Sequence, residues 1–416
     1  MIGALEVVRE QQSQFRVPSD AACVAFEVGA IIAVHVDTPV ASVRSFDDPI
    51  GVSKWDLDTP ALCVDLTTLE QNLAAMRDAL AGTGVGSRPH AKSHKCPAIA
   101  KRQLAYDAIG ICTAKLSEAE VFSANGIAKI LMTTSNVSPA KIRRAMELRQ
   151  QNAHFIQAVD QLENARHLDD AAREAGIVAD VVIDVAIGTR SGVPAGDQAL
   201  SLAQSVDSLK HLKLRGLISY DGAAQHIKGF TARRDQTLKR FEASLETFER
   251  MKRAGLSTDI FSAGGTGTYN IMSRVAGVTD VQVGSYVFMD CQYLDIGGKA
   301  NDMVFDDFAP SLTVVATVLN TYFPNSLTTD AGAKALTLNK PGPWVVGEAG
   351  FDYNASSDEF GVIKYETARR TYKVGDKIDL IVPHCDPVVN LYDRMYAIRN
   401  DKVEAVWTIS ARGCSQ

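Results

Sequence analysis

No run of apolar residues in this chain reaches the ~20 that a bilayer crossing requires. The most apolar N-terminal run, Ala25 to Val36, is broken by Glu27 and His35 and has no basic leader before it. A membrane span or secretory signal is thereby excluded there, and a soluble cytoplasmic protein is expected. CxxC spacing is missing as well. The seven cysteines (Cys23, Cys63, Cys96, Cys112, Cys291, Cys385 and Cys414) stand singly, and their odd number fits reduced thiols better than a disulfide framework. Positive charge is not in excess: 43 basic against 49 acidic residues give a formal net charge of -6, with no acidic tail. Nucleic acid and anionic membrane are therefore poor partners, and small-molecule chemistry is the better expectation. Low-complexity segments and repeats longer than a strand-helix unit are also absent.

What is present is an ordinary globular chain of 416 residues, 46% hydrophobic, long enough for two domains or for one barrel with an appendage. Residues 1–54 are the least regular part, an N-terminal segment expected to pack with a C-terminal β domain. From Leu57 the pattern sharpens. ALCVDL reads as a strand, and Thr67-x-x-Glu70 reads as a capping box opening a helix that Gly82 closes. Ser117-x-x-Glu120 is a second such box, and Ser138-Pro139 places a cap residue before a proline at the first helical position. Short β-branched segments alternate with helical stretches at 160–175, 196–208 and 231–254. Counted from the strand before Lys92 there are eight strands over roughly 230 residues, the expectation for a (β/α)8 barrel. The barrel is assigned to residues 55–300. Over 301–416 helical periodicity fades, and SLTVVATVLNTYF, PWVVG, GVIKYE, KIDLIVP, RMYAIRN and KVEAVWTI predict an appended β domain.

The densest chemistry lies in RPHAKSHKC, Arg88 to Cys96. Lys92 would stand at the C-terminal end of a barrel strand, where barrel enzymes keep their reactive groups. Neighbouring positive charge from Arg88, Lys95 and protonated His90 or His94 would ease loss of its proton, making it a nucleophile able to form a Schiff base with a carbonyl cofactor. A solvated basic loop is the plain alternative.

Four other stretches fall at strand ends or at the domain junction. SAGGTGT contains Gly264, Gly265, Thr266, Gly267 and Thr268 after the seventh strand, and Gly284-Ser285 follows the eighth; together they are a candidate phosphate cradle. Arg190 follows the fifth strand, where a partly buried arginine would face a cofactor ring or form a structural salt bridge. Tyr220 ends the sixth, and His226 follows it. His384 and Asp386 flank Cys385; in extended chain they would point together at one divalent ion, with the thiol turned away.

These motifs, in this order, resemble the D-threonine aldolase and D-serine dehydratase family of pyridoxal-phosphate enzymes on the alanine-racemase fold. The match is carried by DLDTPALCVDL at 56–66, RPHAKSHK, the Arg190 and Tyr220–His226 segments, SAGGTGT, GSYVFMD at 284–290, DAGAKA at 330–335 and PHCDP, and it runs from about residue 55 to the end. The resemblance implies that Lys92 carries pyridoxal 5'-phosphate, Arg190 neighbours its ring, Tyr220 lies against it, and the glycine-threonine loop holds its phosphate. It further implies that His226 is the general base and that His384 and Asp386 hold a divalent metal, Mn or Mg. The dehydratase branch has a zinc-paired cysteine where this chain has Asp386, which favours aldol cleavage of D-β-hydroxy-α-amino acids such as D-threonine or 3-hydroxy-D-aspartate. A homodimer is implied too. The alternatives are a D-serine or 3-hydroxyaspartate dehydratase and a non-catalytic pyridoxal-phosphate homeostasis protein, against which the C-terminal domain argues.

Overall fold

The computed structural model describes residues 49–355 and 357–416. The first strand among the described residues, β1 (Ala61–Asp65), is not part of the barrel. It pairs antiparallel with β11 (Leu312–Asn320) and parallel with β17 (Arg394–Arg399) in a second sheet, so ALCVDL, expected within 55–300, serves the C-terminal sheet instead. The chain then enters the barrel with β2 (Gly86–Ser87), β3 (Ile111–Thr113), β4 (Ile130–Met132), β5 (Ile156–Val159) and β6 (Ala179–Ala186). A short β7 (Val193–Pro194) flanks β6. β8 (Leu212–Ser219), β9 (Ile260–Ala263) and β10 (Asp280–Val281) complete eight parallel strands in the order β2-β10-β9-β8-β6-β5-β4-β3. A parallel bridge from His90 to Cys112 closes the ring between β2 and β3. Ile156, Val182, Ile218 and Ile260 fill its interior, where strands buried on both faces read as near-continuous apolar runs.

The helix starts depart from the expected boxes in two of three places. Ser138 accepts from Lys141 N with Pro139 as first helical residue, as expected. Helix Leu66–Leu80, however, is capped by Asp65, whose Oδ1 accepts from Thr68 N at 2.7 Å, and Glu70 is drawn off to Arg399 at 2.7 Å. Helix Leu116–Ala124 is closed by Glu118, whose Oε2 accepts from the N–H groups of Ala114 and Lys115, while Glu120 pairs with Arg144. In both, a carboxylate nearer the free N–H groups satisfies them first.

The second sheet runs β14-β15-β12-β11-β1-β17-β18, with β16 paired to β11 and β13 paired to β16. Its strands β12 (Ser326–Thr329), β13 (Trp344–Val345), β14 (Asp352–Asn354), β15 (Gly361–Lys364), β16 (Lys377–Ile381) and β18 (Lys402–Thr408) include two, β12 and β14, that the sequence pattern does not announce. Both are short and polar on alternate positions, so they resemble turns. The expectation for residues 1–54 lies outside the described residues up to residue 48; beyond them Gly51 N donates to Val403 O and Lys54 N to Asp401 O, each at 2.8 Å. Among the described residues no helix is long and apolar enough to cross a membrane.

Candidate active site

A cavity of about 750 Å³ opens at the C-terminal ends of the barrel strands. It brings together Lys92, Arg190, Tyr220, His226, His384 and Asp386, with Gly265, Thr266, Gly284 and Ser285 in the same wall. These residues come from points as distant as 92 and 386, and only barrel closure plus the appended sheet unites them.

Lys92 lies in a single tight turn, Ala91–Ser93, directly past β2. Its side chain is 41% exposed to the cavity and its Nζ stands 3.1 Å from Asp386 Oδ2. The expected positive neighbours do not act on it. Arg88 is buried against Asp280 at 3.1 Å, and Lys95, 10% exposed, is tied to Glu118 at 3.3 Å. Burial, followed by the Lys92 charge, pushes the His90 imidazole down to about 3. Burial likewise lowers His94 to about 4, and its ring is satisfied by Gln103 and Cys96 N. The Asp386 carboxylate dominates instead and holds the Lys92 ammonium above its ordinary range. Lys92 is thus the lysine open to the cavity, and Lys95 is structural.

His384 and Asp386 both reach the cavity, though not by the expected route. The chain from Cys385 to Val389 is helical, with His384 as its N-cap, so the alternation of an extended strand does not apply. His384 Nδ1 donates to Asp290 Oδ2 at 2.9 Å; burial opposes the charged ring, but the Asp290 bond and the Asp386 charge outweigh it and raise the His384 pKa, so Nε2 becomes a lone-pair donor once a metal displaces its proton. Burial alone would raise the Asp386 carboxyl; Lys92 and His384 outweigh it and hold it at about 2. Among the described residues Asp290, His384 and Cys385 bring ligand-type atoms within 4.8 Å of one another. Asp290 is already spent as an acceptor, from His384, Cys385 N and Tyr293 N, and burial pushes the Cys385 thiol well up. An imidazole nitrogen beside an ionised carboxylate remains, a donor pair for a hard or borderline divalent ion.

The glycine loop is built differently from a simple row of open N–H groups. Gly265 N bonds Thr268 Oγ1 at 3.1 Å, Gly267 N bonds Gln225 Oε1 at 3.1 Å, and Gly284 N bonds Thr266 Oγ1 at 3.2 Å. Gly264 takes φ +74°, and a Cβ on Gly267 would lie 2.1 Å from the Gln225 carbonyl oxygen, so these glycines serve the turn and its packing. Gly264, Gly267 and Thr268 are not part of the cavity wall. The N–H groups of Thr266 and Ser285, 1% and 5% exposed as residues, make no hydrogen bond among the described residues. Buried donors of this kind require an acceptor, and a phosphate at the cavity wall would supply one.

Arg190 is exposed rather than partly buried, and its guanidinium lies 5.5 Å from the Tyr220 ring centroid. His226 follows in a short turn and packs against Tyr293, ring centroids 4.7 Å apart. Desolvation lowers the His226 pKa despite the opposing pull of Asp290, so the imidazole is neutral and able to accept a proton. At the cavity mouth burial, then Asp160, raises the Asp184 carboxyl to about 6. Stability from the protonated form is therefore full below the ordinary carboxyl pKa and is lost as pH rises through about 6. Asp184→Asn is expected to raise the thermal midpoint at pH 8 but not at pH 4; equal shifts at both would contradict this.

Residues 64–292 match the family described as alanine racemase, N-terminal domain, and residues 311–398 match a putative serine dehydratase domain. A D-threonine aldolase from Arthrobacter sp is 36% identical over 86% of this chain and 94% of its own. The chain belongs to the D-threonine aldolase family. A 3-hydroxy-D-aspartate aldolase from Paracoccus denitrificans (strain Pd 1222) is 33% identical over 87% of this chain and 94% of its own. The crystal structure of a D-threonine aldolase from Filomicrobium marinum aligns with a TM-score of 0.84 at 33% identity, covering 88% of this chain and 99% of that one. The barrel with an appended sheet is accordingly the alanine-racemase-like fold of the D-threonine aldolase family.

Sequence reasoning missed four residues that hold this site together. Asp290 is the last residue of GSYVFMD, and Tyr293 follows three positions later. Gln225, fully buried, links the Tyr220–His226 turn to the glycine loop. Arg233, also fully buried, donates to the carbonyls of Gly267, Ile227, Ile296 and Gly297 at 2.7–3.1 Å, so one guanidinium binds the glycine loop, the His226 turn and the segment after Tyr293. Only Asp290 carried a signal, as an acidic residue opening a short helical run.

Proposed function

We propose that the chain is a lyase that cleaves D-β-hydroxy-α-amino acids to glycine and an aldehyde, using pyridoxal 5'-phosphate and a divalent metal, Mn or Mg. The observation that carries this reading is the meeting of Lys92, His226, His384 and Asp386 in one cavity whose wall also holds the Thr266 and Ser285 amides. Lys92 would hold the cofactor, Tyr220 and Arg190 would flank its ring, and the Thr266–Ser285 wall would take its phosphate. Pyridoxal phosphate supplies an electron sink for the pair left on Cα when the Cα–Cβ bond breaks. His384 Nε2 and the Asp386 carboxylate would hold the metal, which supplies Lewis acidity toward the β-hydroxyl. His226, neutral and facing the cavity, accepts the β-hydroxyl proton. The residue's own task is to move that proton while the walls from β2, β8 and the second sheet keep the substrate oriented. The chain is further proposed to work as a homodimer in the cytoplasm.

The test is incubation with cofactor and metal, D-threonine and 3-hydroxy-D-aspartate being offered separately. Glycine with an aldehyde is expected. Ammonia with a 2-oxo acid would instead establish the dehydratase, a reading that the serine dehydratase match over 311–398 keeps in view. Cofactor binding without any turnover would revive the non-catalytic alternative. Asp386→Ala is expected to lose the metal-dependent rate, on the order of 10²-fold or more, yet keep the cofactor's bound absorbance; unchanged activity after exhaustive chelation would remove the metal from the reaction.

A further inference from the structure

Tyr293 lines the cavity beside His226, and the reading above leaves its hydroxyl unused. It is 6% exposed, and its hydroxyl makes no hydrogen bond among the described residues. Three tyrosines buried to a similar degree behave otherwise. The hydroxyl of Tyr269 donates to Asp307, that of Tyr353 to Ala331 O and that of Tyr372 to Glu348, each at 2.8 Å. The Tyr293 hydroxyl is not one of the sealed, unpartnered polar atoms of the described residues, so it keeps access to the cavity that the residue lines. A phenol held there on a buried ring is free to donate to a ligand atom.

Which ligand atom follows from the neighbours. The Tyr293 ring packs on His226 at 4.7 Å, and its backbone N donates to Asp290 Oδ1 at 3.0 Å. The other oxygen of that carboxylate holds His384 Nδ1 at 2.9 Å. One buried side chain therefore fixes both Tyr293 and His384, and Tyr293 in turn backs His226. The Thr266 and Ser285 amides belong to the loops after β9 and β10. Tyr293 shares its packing and its hydrogen bonding with His226, Asp290 and His384, and so goes with the groups assigned to the β-hydroxyl.

We infer that Tyr293 is a further catalytic residue of the reaction proposed above, its hydroxyl donating a hydrogen bond to the oxygen on Cβ of the substrate. As His226 takes the proton from that oxygen and the Cα–Cβ bond breaks, charge builds on the oxygen before it becomes the aldehyde carbonyl. A fixed donor there is worth most at that moment. The phenol keeps its own proton throughout, so no covalent change occurs at Tyr293. This inference rests on the aldolase reading.

The experiment compares the wild-type holoenzyme with Tyr293→Phe, which keeps the ring and its packing on His226 while deleting only the oxygen. Cleavage of D-threonine is expected to fall on the order of 10²-fold in kcat. Exchange of the glycine α-proton for deuterium, followed by NMR, uses the same bound cofactor on a molecule without a β-oxygen, and is expected to stay within about twofold of wild type. Thermal midpoint and cofactor affinity, read by absorbance titration, are expected to be unchanged. Equal losses in cleavage and exchange would overturn the inference, since the hydroxyl would then act on a part of the substrate that glycine shares. Unchanged cleavage would overturn it as well. A wild type that cleaves no D-β-hydroxy-amino acid would instead sink the aldolase reading beneath it.

Discussion

Lys92→Ala is expected to abolish the bound absorbance of pyridoxal phosphate and to lower cleavage by on the order of 10³-fold or more. Lys95→Met, three residues on, is expected to keep the absorbance and to lose stability instead. The two lysines share one motif but not one environment. Lys92 opens to the cavity against Asp386, whereas Lys95 is sealed between Glu118 at 3.3 Å and Asn390 at 3.1 Å. Removing its charge leaves Glu118, whose side chain is 3% exposed, as a buried carboxylate without a counter-charge, held only by the N–H groups of Ala114 and Lys115, which costs up to about 3–5 kcal/mol. Absorbance titration and thermal denaturation of both variants separate the roles. A Lys92→Ala protein that keeps its absorbance while a Lys95 variant loses it would reverse the assignment.

Arg233→Met is expected to cost at least about 3 kcal/mol and to impair cleavage in the protein that remains folded. Methionine replaces much of the side-chain volume but no donor, so the carbonyls of Gly267, Ile227 and Gly297 lose their partner together, while that of Ile296 keeps only Gly229 N. Each lies in a segment that borders the cavity, and the Phe305 ring 5.5 Å from the guanidinium excludes water from the gap. Arg233→Lys should recover only part of the loss, because an ammonium cannot span the spread of acceptors that the planar fork reaches. A thermal midpoint equal to wild type in Arg233→Met would show that the three segments hold one another without it.

Much of this was legible in the chain because the signals were local. Ser138-Pro139 announces its helix through one cap and one ring, and the eight barrel strands announce themselves by short β-branched runs between helical stretches. Lys92, Tyr220 and His226 stand out because strand ends in a barrel face one mouth. What was not legible depends on partners distant in sequence. The strand ALCVDL could not reveal that its neighbours are β11 and β17 rather than β2. The charges of Arg88 and Lys95 looked available to Lys92 until Asp280 and Glu118 were seen to neutralise them. His384 and Asp386 were paired by an alternation that the helix at Cys385–Val389 replaces. Gln225 and Arg233 are invisible in one dimension, since a buried polar side chain is recognised by the carbonyls and amides around it and not by its own spacing.

The placement of β1 also governs how the molecule comes into being. Ala61 pairs with Val315 and Cys63 with Tyr396, so a strand made early in translation waits for partners made near the end. During that wait its ladder groups are unsatisfied, and the nascent chain carries an open edge able to recruit another chain. A fragment ending at residue 300 would keep that edge permanently, although every barrel strand would be present. The barrel is therefore not a severable module: β1 settles only once β11 and β17 have been made.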